Sequence, residues 1–179
     1  MSSQTVVAPV LRRLYFARFG FALVWAGLLF TSASKLGPVS VALLVLYPLF
    51  DVVAALIDLR SSQDEKPVLG LYGNIAISGI ATIGLAIAAT SGIPAVLRVW
   101  GTWAIVSGLI QLAVGLGRRK LGGQWAMIAS GAISTVAGTS FILQATQQDA
   151  SLVNLAGYAA LGGVFFLVSA IRLGYSERT

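Results

Sequence analysis

Six long apolar segments, separated by short polar stretches, make up most of the chain. Each segment is about as long as the ~20 residues that a helix needs to cross a bilayer. Strands of a membrane barrel would alternate polar and apolar residues, and these segments do not alternate. The pattern therefore predicts an all-α integral membrane protein, with six transmembrane helices at Leu14–Ser34, Pro38–Ile57, Val68–Thr90, Pro94–Leu116, Trp125–Ala145 and Leu152–Tyr175.

The residues before the first span are polar to mixed and end in Arg12 and Arg13. Basic residues ahead of an apolar run, with small residues after it, also occur in cleaved secretory signals. The length of this run and the presence of Trp25 favour a retained span. A cleaved signal over residues 1–34 stays open as the alternative.

Composition supports the membrane assignment and removes several function classes. Hydrophobic residues make up 57% of the chain and charged residues only 10%, whereas a soluble domain carries about 25% charged residues. The absence of cysteine and histidine excludes disulfides, thiol nucleophiles and zinc sites of the usual kind. With no phosphate-binding or catalytic-triad motif either, the sequence predicts a non-enzymatic protein without cofactor or metal.

The basic residues are distributed unevenly between the two sides of the predicted membrane domain. One side holds Lys35 and Arg98, and the other holds every other lysine and arginine, including those of the charged loops Arg60–Pro67 and Gly117–Gln124. Basic residues favour the cytoplasmic side, so both termini are predicted to be cytoplasmic in an inner membrane. The net charge of +6 is assigned to this topology and not to nucleic acid. Arg98 should extend to the outer interface, where an anion contact is a weaker alternative.

The single membrane domain, residues 1–179, shows signs of a threefold internal repeat. Three helical hairpins span approximately residues 14–60, 68–118 and 125–175, and their second helices share aromatic and small positions. Residues four apart lie on one helix face, so these faces are predicted to turn towards a shared interior. The equivalent positions are Tyr47, Trp103 and Tyr158 and, one turn later, Asp51, Ser107 and Gly162.

A four-spaced stripe of small residues marks the fifth span. It consists of Ala126, Ser130, Ser134 and Gly138. Small residues let membrane helices approach closely, so this stripe predicts a helix contact.

Asp51 is the residue on which a functional interpretation depends. A carboxylate inside the bilayer costs ~2.5–3.5 kcal/mol on insertion scales, so it needs a partner. Arg18, Asn74 and Gln111 are expected at comparable depth in the cytoplasmic half. Two interpretations follow: an Arg18–Asp51 pair that joins the first two helices, or a small cavity lined by all four residues that binds a solute.

Several short motifs resemble those of a known family. They are Tyr15-x-x-Arg18-Phe19, the run from Leu44 to Asp51 with Asp58 and Arg60 behind it, Trp103-Ala104-Ile105, Gln124-Trp125-Ala126-Met127-Ile128, and Tyr158 with Phe166-Leu167-Val168-Ser169. Together they resemble the short membrane repeat of the HdeD-type acid-resistance membrane proteins. The resemblance implies a small bacterial-type inner-membrane protein linked to stress, and it supplies no substrate.

The prediction for function is therefore a multi-pass inner-membrane protein, non-enzymatic and linked to acid or envelope stress. Its expected partners are the lipid bilayer and further copies of itself, with a small solute or ion as a further ligand. The alternative is a small channel or transporter for a proton, a cation or a small solute, in which Asp51 would be the titrating group.

Overall fold

A computed structural model describes residues 4–33, 35–61, 69–117, 119 and 124–176, and this part of the chain contains six α-helices and no strand. All six helices are long and apolar enough to cross a membrane. The prediction of an all-α membrane protein with six such helices is thereby confirmed. The helices are α1 (Gln4–Ser32), α2 (Pro38–Ser61), α3 (Leu69–Ala88), α4 (Ile93–Gly117), α5 (Trp125–Gln144) and α6 (Val153–Ser176), and a 3-10 turn (Ala89–Ser91) follows α3.

The start of α1 differs from the prediction. The helix begins at Gln4, ten residues before the expected Leu14, and its membrane-spanning part begins at Val10. Leu11 and Leu14 are buried against Ala54 of α2. The hydrophobic contact therefore continues the helix past the point where the sequence becomes polar.

Individual residues explain two of the turns between helices. Between α1 and α2, the Ser40 hydroxyl accepts a hydrogen bond from the Gly37 N–H (3.0 Å) and donates one to the Lys35 carbonyl (2.9 Å). Between α3 and α4, Gly92 has φ +95°, a conformation that glycine adopts at no steric cost. Pro94 then stands in the first turn of α4, where its missing N–H needs no partner.

The six helices form a closed up-and-down ring. Each helix packs on its neighbours in the chain, and α6 returns to pack on α1. The most extensive contacts are α4 with α5, α1 with α6 and α2 with α3, whereas α5 and α6 touch sparsely. The second helix of each predicted hairpin thus packs mainly on the first helix of the next. The threefold repeat itself stays a prediction.

Glycines bring α4 and α5 close together. A Cβ atom at Gly138 would lie 2.5 Å from the Gly101 carbonyl oxygen, and one at Gly131 would lie 2.7 Å from the Gly108 carbonyl oxygen. The predicted stripe of small residues meets this contact at Gly138, whereas the buried Ser134 accepts a hydrogen bond from Tyr158 of α6. The closest approach, however, follows glycines seven residues apart in each helix, because that spacing keeps them facing the partner along the whole seam.

Charged residues separate towards the two ends of the ring. The end where α1 begins carries Arg12, Arg13, Arg60, Arg119 and Arg172, and the opposite end carries Lys35 and Arg98. We call the first of these the arginine end. Lys66, Arg118, Lys120 and Arg178, which the sequence analysis placed on the same side, lie outside the described residues, as does most of each predicted charged loop.

Candidate functional site

The Asp51 carboxylate accepts hydrogen bonds from two neighbouring helices. Its Oδ1 forms an ion pair with Nη2 of Arg18 on α1. Its Oδ2 accepts from Nδ2 of Asn74 (2.7 Å) and from the Ser78 hydroxyl (2.8 Å), both on α3. Asp51 thus joins α2 to both helices beside it in the ring.

The helical spacing explains why these donors converge. Asn74 and Ser78 are four residues apart, so they lie on the same face of α3. Arg18 approaches from the other side of α2, and the side chains of Arg18 and Asp51 are each 14% exposed. Ser78 was missing from the predicted cluster, although its distance of one helical turn from Asn74 was a usable signal.

Two aromatic side chains extend the group to α4 and α6. The Trp103 indole N–H donates to the Ser78 hydroxyl (3.2 Å). The Arg18 guanidinium carbon lies 4.3 Å from the centroid of the Phe166 ring, within the range in which a cation is attracted to a ring face. Five of the six helices therefore contribute to the surroundings of one carboxylate. We call Arg18, Asp51, Asn74, Ser78 and Trp103 the Asp51 network.

A cavity of about 20 Å³ adjoins the ion pair. A buried water needs ~10–15 Å³, so the volume suits about one water molecule. Aromatic rings form most of its wall, which is made of Arg18, Phe21, Tyr47, Phe50, Asp51 and Phe166. Of the four residues predicted to line a solute cavity, Arg18 and Asp51 line this one, whereas Asn74 bonds to the carboxylate on the α3 side; the solute cavity lined by all four stays a prediction.

Gln111 lies apart from this hydrogen-bonded group. Its Oε1 atom is buried without a hydrogen-bond partner among the described residues, and so is the Ser107 hydroxyl one turn earlier. The ring order explains this, because α3 lies between α2 and α4. The long indole of Trp103 reaches from α4 to Ser78 on α3. The predicted depth of Gln111 in the membrane did not show which helices it would face.

The predicted repeat faces meet in part around Tyr47. The Tyr47 ring lies 6.1 Å from that of Trp103, and a Cβ atom at Gly162 would lie 4.0 Å from the Tyr47 hydroxyl. Tyr158 instead donates to the Ser134 hydroxyl of α5 (2.9 Å). The second helices of the first two hairpins thus share an aromatic core, whereas the third directs its tyrosine to the neighbouring α5.

That aromatic core lies beside the Asp51 network, further from the arginine end. The Trp25 ring lies 4.6 Å from Tyr47 and 5.3 Å from Trp100, and its N–H donates to the Leu43 carbonyl (2.6 Å). Leu43 stands five residues before Pro48, the proline within α2. These aromatic side chains fill the interior of the six-helix ring, where a passage across the protein would have to run.

Arg98, the residue predicted to reach the outer interface, is exposed on α4. Its carbonyl accepts the Thr102 hydroxyl (2.8 Å), a bond within one helix. The exposure fits extension towards an interface, and the anion contact stays a prediction.

The chemistry available at the Asp51 network is limited. A carboxylate offers about four acceptor positions, and protein donors fill three of them here. The described residues contain no group of three or more acidic, cysteine or histidine side chains that could hold a metal ion. Because its donors lie on α1 and α3, the carboxylate is suited to joining helices.

Comparisons with known proteins add no functional assignment. The chain matches no protein-family model, no curated protein and no solved structure.

Proposed function

We propose that this chain is a non-enzymatic multi-pass protein of the inner membrane that supports survival of acid or envelope stress, and that the Asp51 network is structural. The structural role is supported by the hydrogen bonds that the Asp51 carboxylate accepts. Both carboxylate oxygens are held by side chains of the two adjacent helices. A group held in this way fixes the positions of three helices.

The resemblance to the acid-resistance membrane proteins supports the stress role. Arg18, Asp51 and Trp103 belong both to the resembling motifs and to the Asp51 network. The resembling motifs thus supply the members of the network on α1, α2 and α4, whereas Asn74 and Ser78 of α3 lie outside the motifs. In this proposal the arginine end faces the cytoplasm, in keeping with the preference of basic residues for that side.

A channel or transporter is less well supported. A transported proton or cation would need a path to Asp51, whereas the cavity beside it has room for about one water molecule. The rings of Trp25, Tyr47, Trp100 and Trp103 fill the interior next to it. The structural role is therefore the one we propose.

Proteoliposomes test the structural role against transport. We expect the wild-type protein to carry no proton or potassium flux above that of empty liposomes, and Asp51→Asn to behave in the same way. The measurement is a pH-sensitive or potassium-sensitive dye trapped inside the vesicles. A flux that wild type supports and Asp51→Asn abolishes, in a variant with an unchanged helical circular dichroism spectrum, would establish transport instead.

Acid challenge of cells tests the stress role. Cells of the source strain that lack the protein are expected to lose viability faster at low pH than cells that carry it. Asp51→Asn, where it accumulates in the membrane at the wild-type level, should restore survival because an amide oxygen can still accept from Arg18. Equal survival with and without the protein would refute the stress role, and a well-folded Asp51→Asn variant that fails to protect would refute the purely structural role of the network.

A further inference from the structure

The hydroxyl of Tyr47 lies inside the protein without a hydrogen-bond partner among the described residues. The Tyr47 side chain packs against the hydrophobic core, where a hydroxyl costs free energy unless it is hydrogen-bonded. On α6 the residue near it is Gly162, which has no side chain; a Cβ atom there would lie 4.0 Å from the hydroxyl oxygen. The hydroxyl of Tyr158, by contrast, donates directly to Ser134. A bound molecule that bonds to the Tyr47 hydroxyl would therefore be stabilised.

The cavity beside the ion pair brings Tyr47 together with two further polar residues. Arg18, Tyr47 and Asp51 all line it, and its volume of about 20 Å³ exceeds the ~10–15 Å³ that a buried water needs. Tyr47 and Asp51 are four residues apart, so they lie on one face of α2, and Arg18 faces Asp51 from α1. The rest of the wall consists of the rings of Phe21, Phe50 and Phe166.

We propose that this cavity is a binding site for one water molecule. The water donates to the Asp51 carboxylate, accepts from the Arg18 guanidinium and forms a third hydrogen bond with the Tyr47 hydroxyl. A buried water typically makes about three hydrogen bonds. Protein donors fill three of the roughly four acceptor positions of the carboxylate, and a guanidinium has five N–H groups. The site links the aromatic core to the Asp51 network and is independent of the stress role.

The charges around the cavity favour a neutral molecule over an ion. The Arg18 guanidinium would repel a cation, and the Asp51 carboxylate would repel an anion. The two charges are paired with each other, so neither is left to compensate a bound ion. The volume has room for about one water molecule, which excludes a larger solute. A neutral molecule that both donates and accepts hydrogen bonds is the ligand that fits.

A crystal structure at a resolution that shows ordered water gives the direct test. We expect one spherical density peak within hydrogen-bond distance of the Asp51 carboxylate and the Tyr47 hydroxyl. Crystals grown in rubidium bromide distinguish water from an ion, because both of these ions scatter anomalously, and we expect no anomalous peak in the cavity. An anomalous peak there would overturn the proposal. So would a cavity without density in a map that shows other buried waters.

Solid-state NMR in lipid bilayers tests the site without crystals. Magnetisation transferred from water should reach the carboxyl carbon of Asp51 and the ring carbon of Tyr47 that bears the hydroxyl. Tyr47→Phe removes one of the three hydrogen bonds, and a hydrogen bond of typical strength is worth roughly five-fold in an equilibrium. We therefore expect the lifetime of the bound water, measured from the build-up of the transfer, to shorten by about that factor.

Tyr158→Phe is the matched control for this experiment. It removes a hydroxyl that bonds to Ser134, and Tyr158 does not line the cavity, so the lifetime of the bound water should not change. Equal lifetimes in Tyr47→Phe and wild type would refute the role of Tyr47 as a partner of the water. A wild-type protein in which no transfer from water reaches Asp51 would refute the site itself.

Discussion

Replacing Asp51 with alanine is expected to lower the free energy of unfolding of the detergent-solubilised protein by about 3–5 kcal/mol, the usual cost of removing one partner of a buried ion pair. The change leaves Arg18 buried at 14% exposure without its carboxylate. It also removes the acceptor of Asn74 and of Ser78. Reversible unfolding by a denaturing detergent in mixed micelles, followed by circular dichroism, measures the change.

Two further variants show whether the loss comes from the unpaired arginine. Asp149→Ala removes an exposed carboxylate from the turn between α5 and α6 and should leave the unfolding free energy within about 0.5 kcal/mol of wild type. The double variant Arg18→Met/Asp51→Leu replaces both charges by apolar side chains and should be more stable than Asp51→Ala alone. An Asp51→Ala protein as stable as wild type would contradict the structural role of the network.

The number of helices and most of their boundaries follow from the sequence because the bilayer imposes a strong constraint. A run such as the one from Pro38 onwards must be helical in lipid, since its backbone groups find no other partners there. The ends are less constrained, because a helix can extend beyond the hydrocarbon region wherever it finds a surface to pack on. Leu11 packing against Ala54 is such a case, and it extends α1 past the predicted start.

The partners of Asp51 could be predicted only in part. Asp51 needs a partner because of its charge, and both Arg18 and Asn74 follow from depth alone. Depth does not give the order of helices around the ring, and that order places α3 between α2 and Gln111 of α4. It also gives Ser78 a direct bond to Asp51 and a second bond from Trp103. A hydroxyl is common in membrane helices, so without the ring order only the spacing of one turn from Asn74 distinguished Ser78 from other serines.

The same reasoning explains why the α4–α5 contact was located only approximately. Small residues predict that a helix is in close contact, but several stripes of small residues can be drawn on α5. The stripe in contact is the one that opposes glycines on α4. Gly101 and Gly108 face Gly138 and Gly131 respectively, a correspondence between two helices that the pattern along one helix does not contain.

Gly138→Ala is expected to lower the unfolding free energy by about 1–3 kcal/mol, the usual cost of inserting a methyl group into a packed contact. The new Cβ atom would lie 2.5 Å from the Gly101 carbonyl oxygen and 2.9 Å from the Ile105 backbone nitrogen. Backbone atoms cannot move aside as a side chain can, so the two helices must separate. Small residues at such contacts are what allow membrane helices to approach closely. The same detergent titration measures the loss.

The matched control is Gly157→Ala on α6, where a Cβ atom would meet nothing within 4 Å. Alanine favours the helix over glycine by up to ~1 kcal/mol, so this variant should be as stable as wild type or more stable. Gly101→Ala should reproduce the effect of Gly138→Ala, because its Cβ atom would lie 2.6 Å from the Gly138 carbonyl oxygen. Once either methyl group has forced the helices apart, the second methyl group lowers the unfolding free energy by less. The double variant should therefore lose less unfolding free energy than the two single variants lose in sum. Equal stability of Gly138→Ala and Gly157→Ala would show that the close approach of α4 and α5 contributes little to the fold.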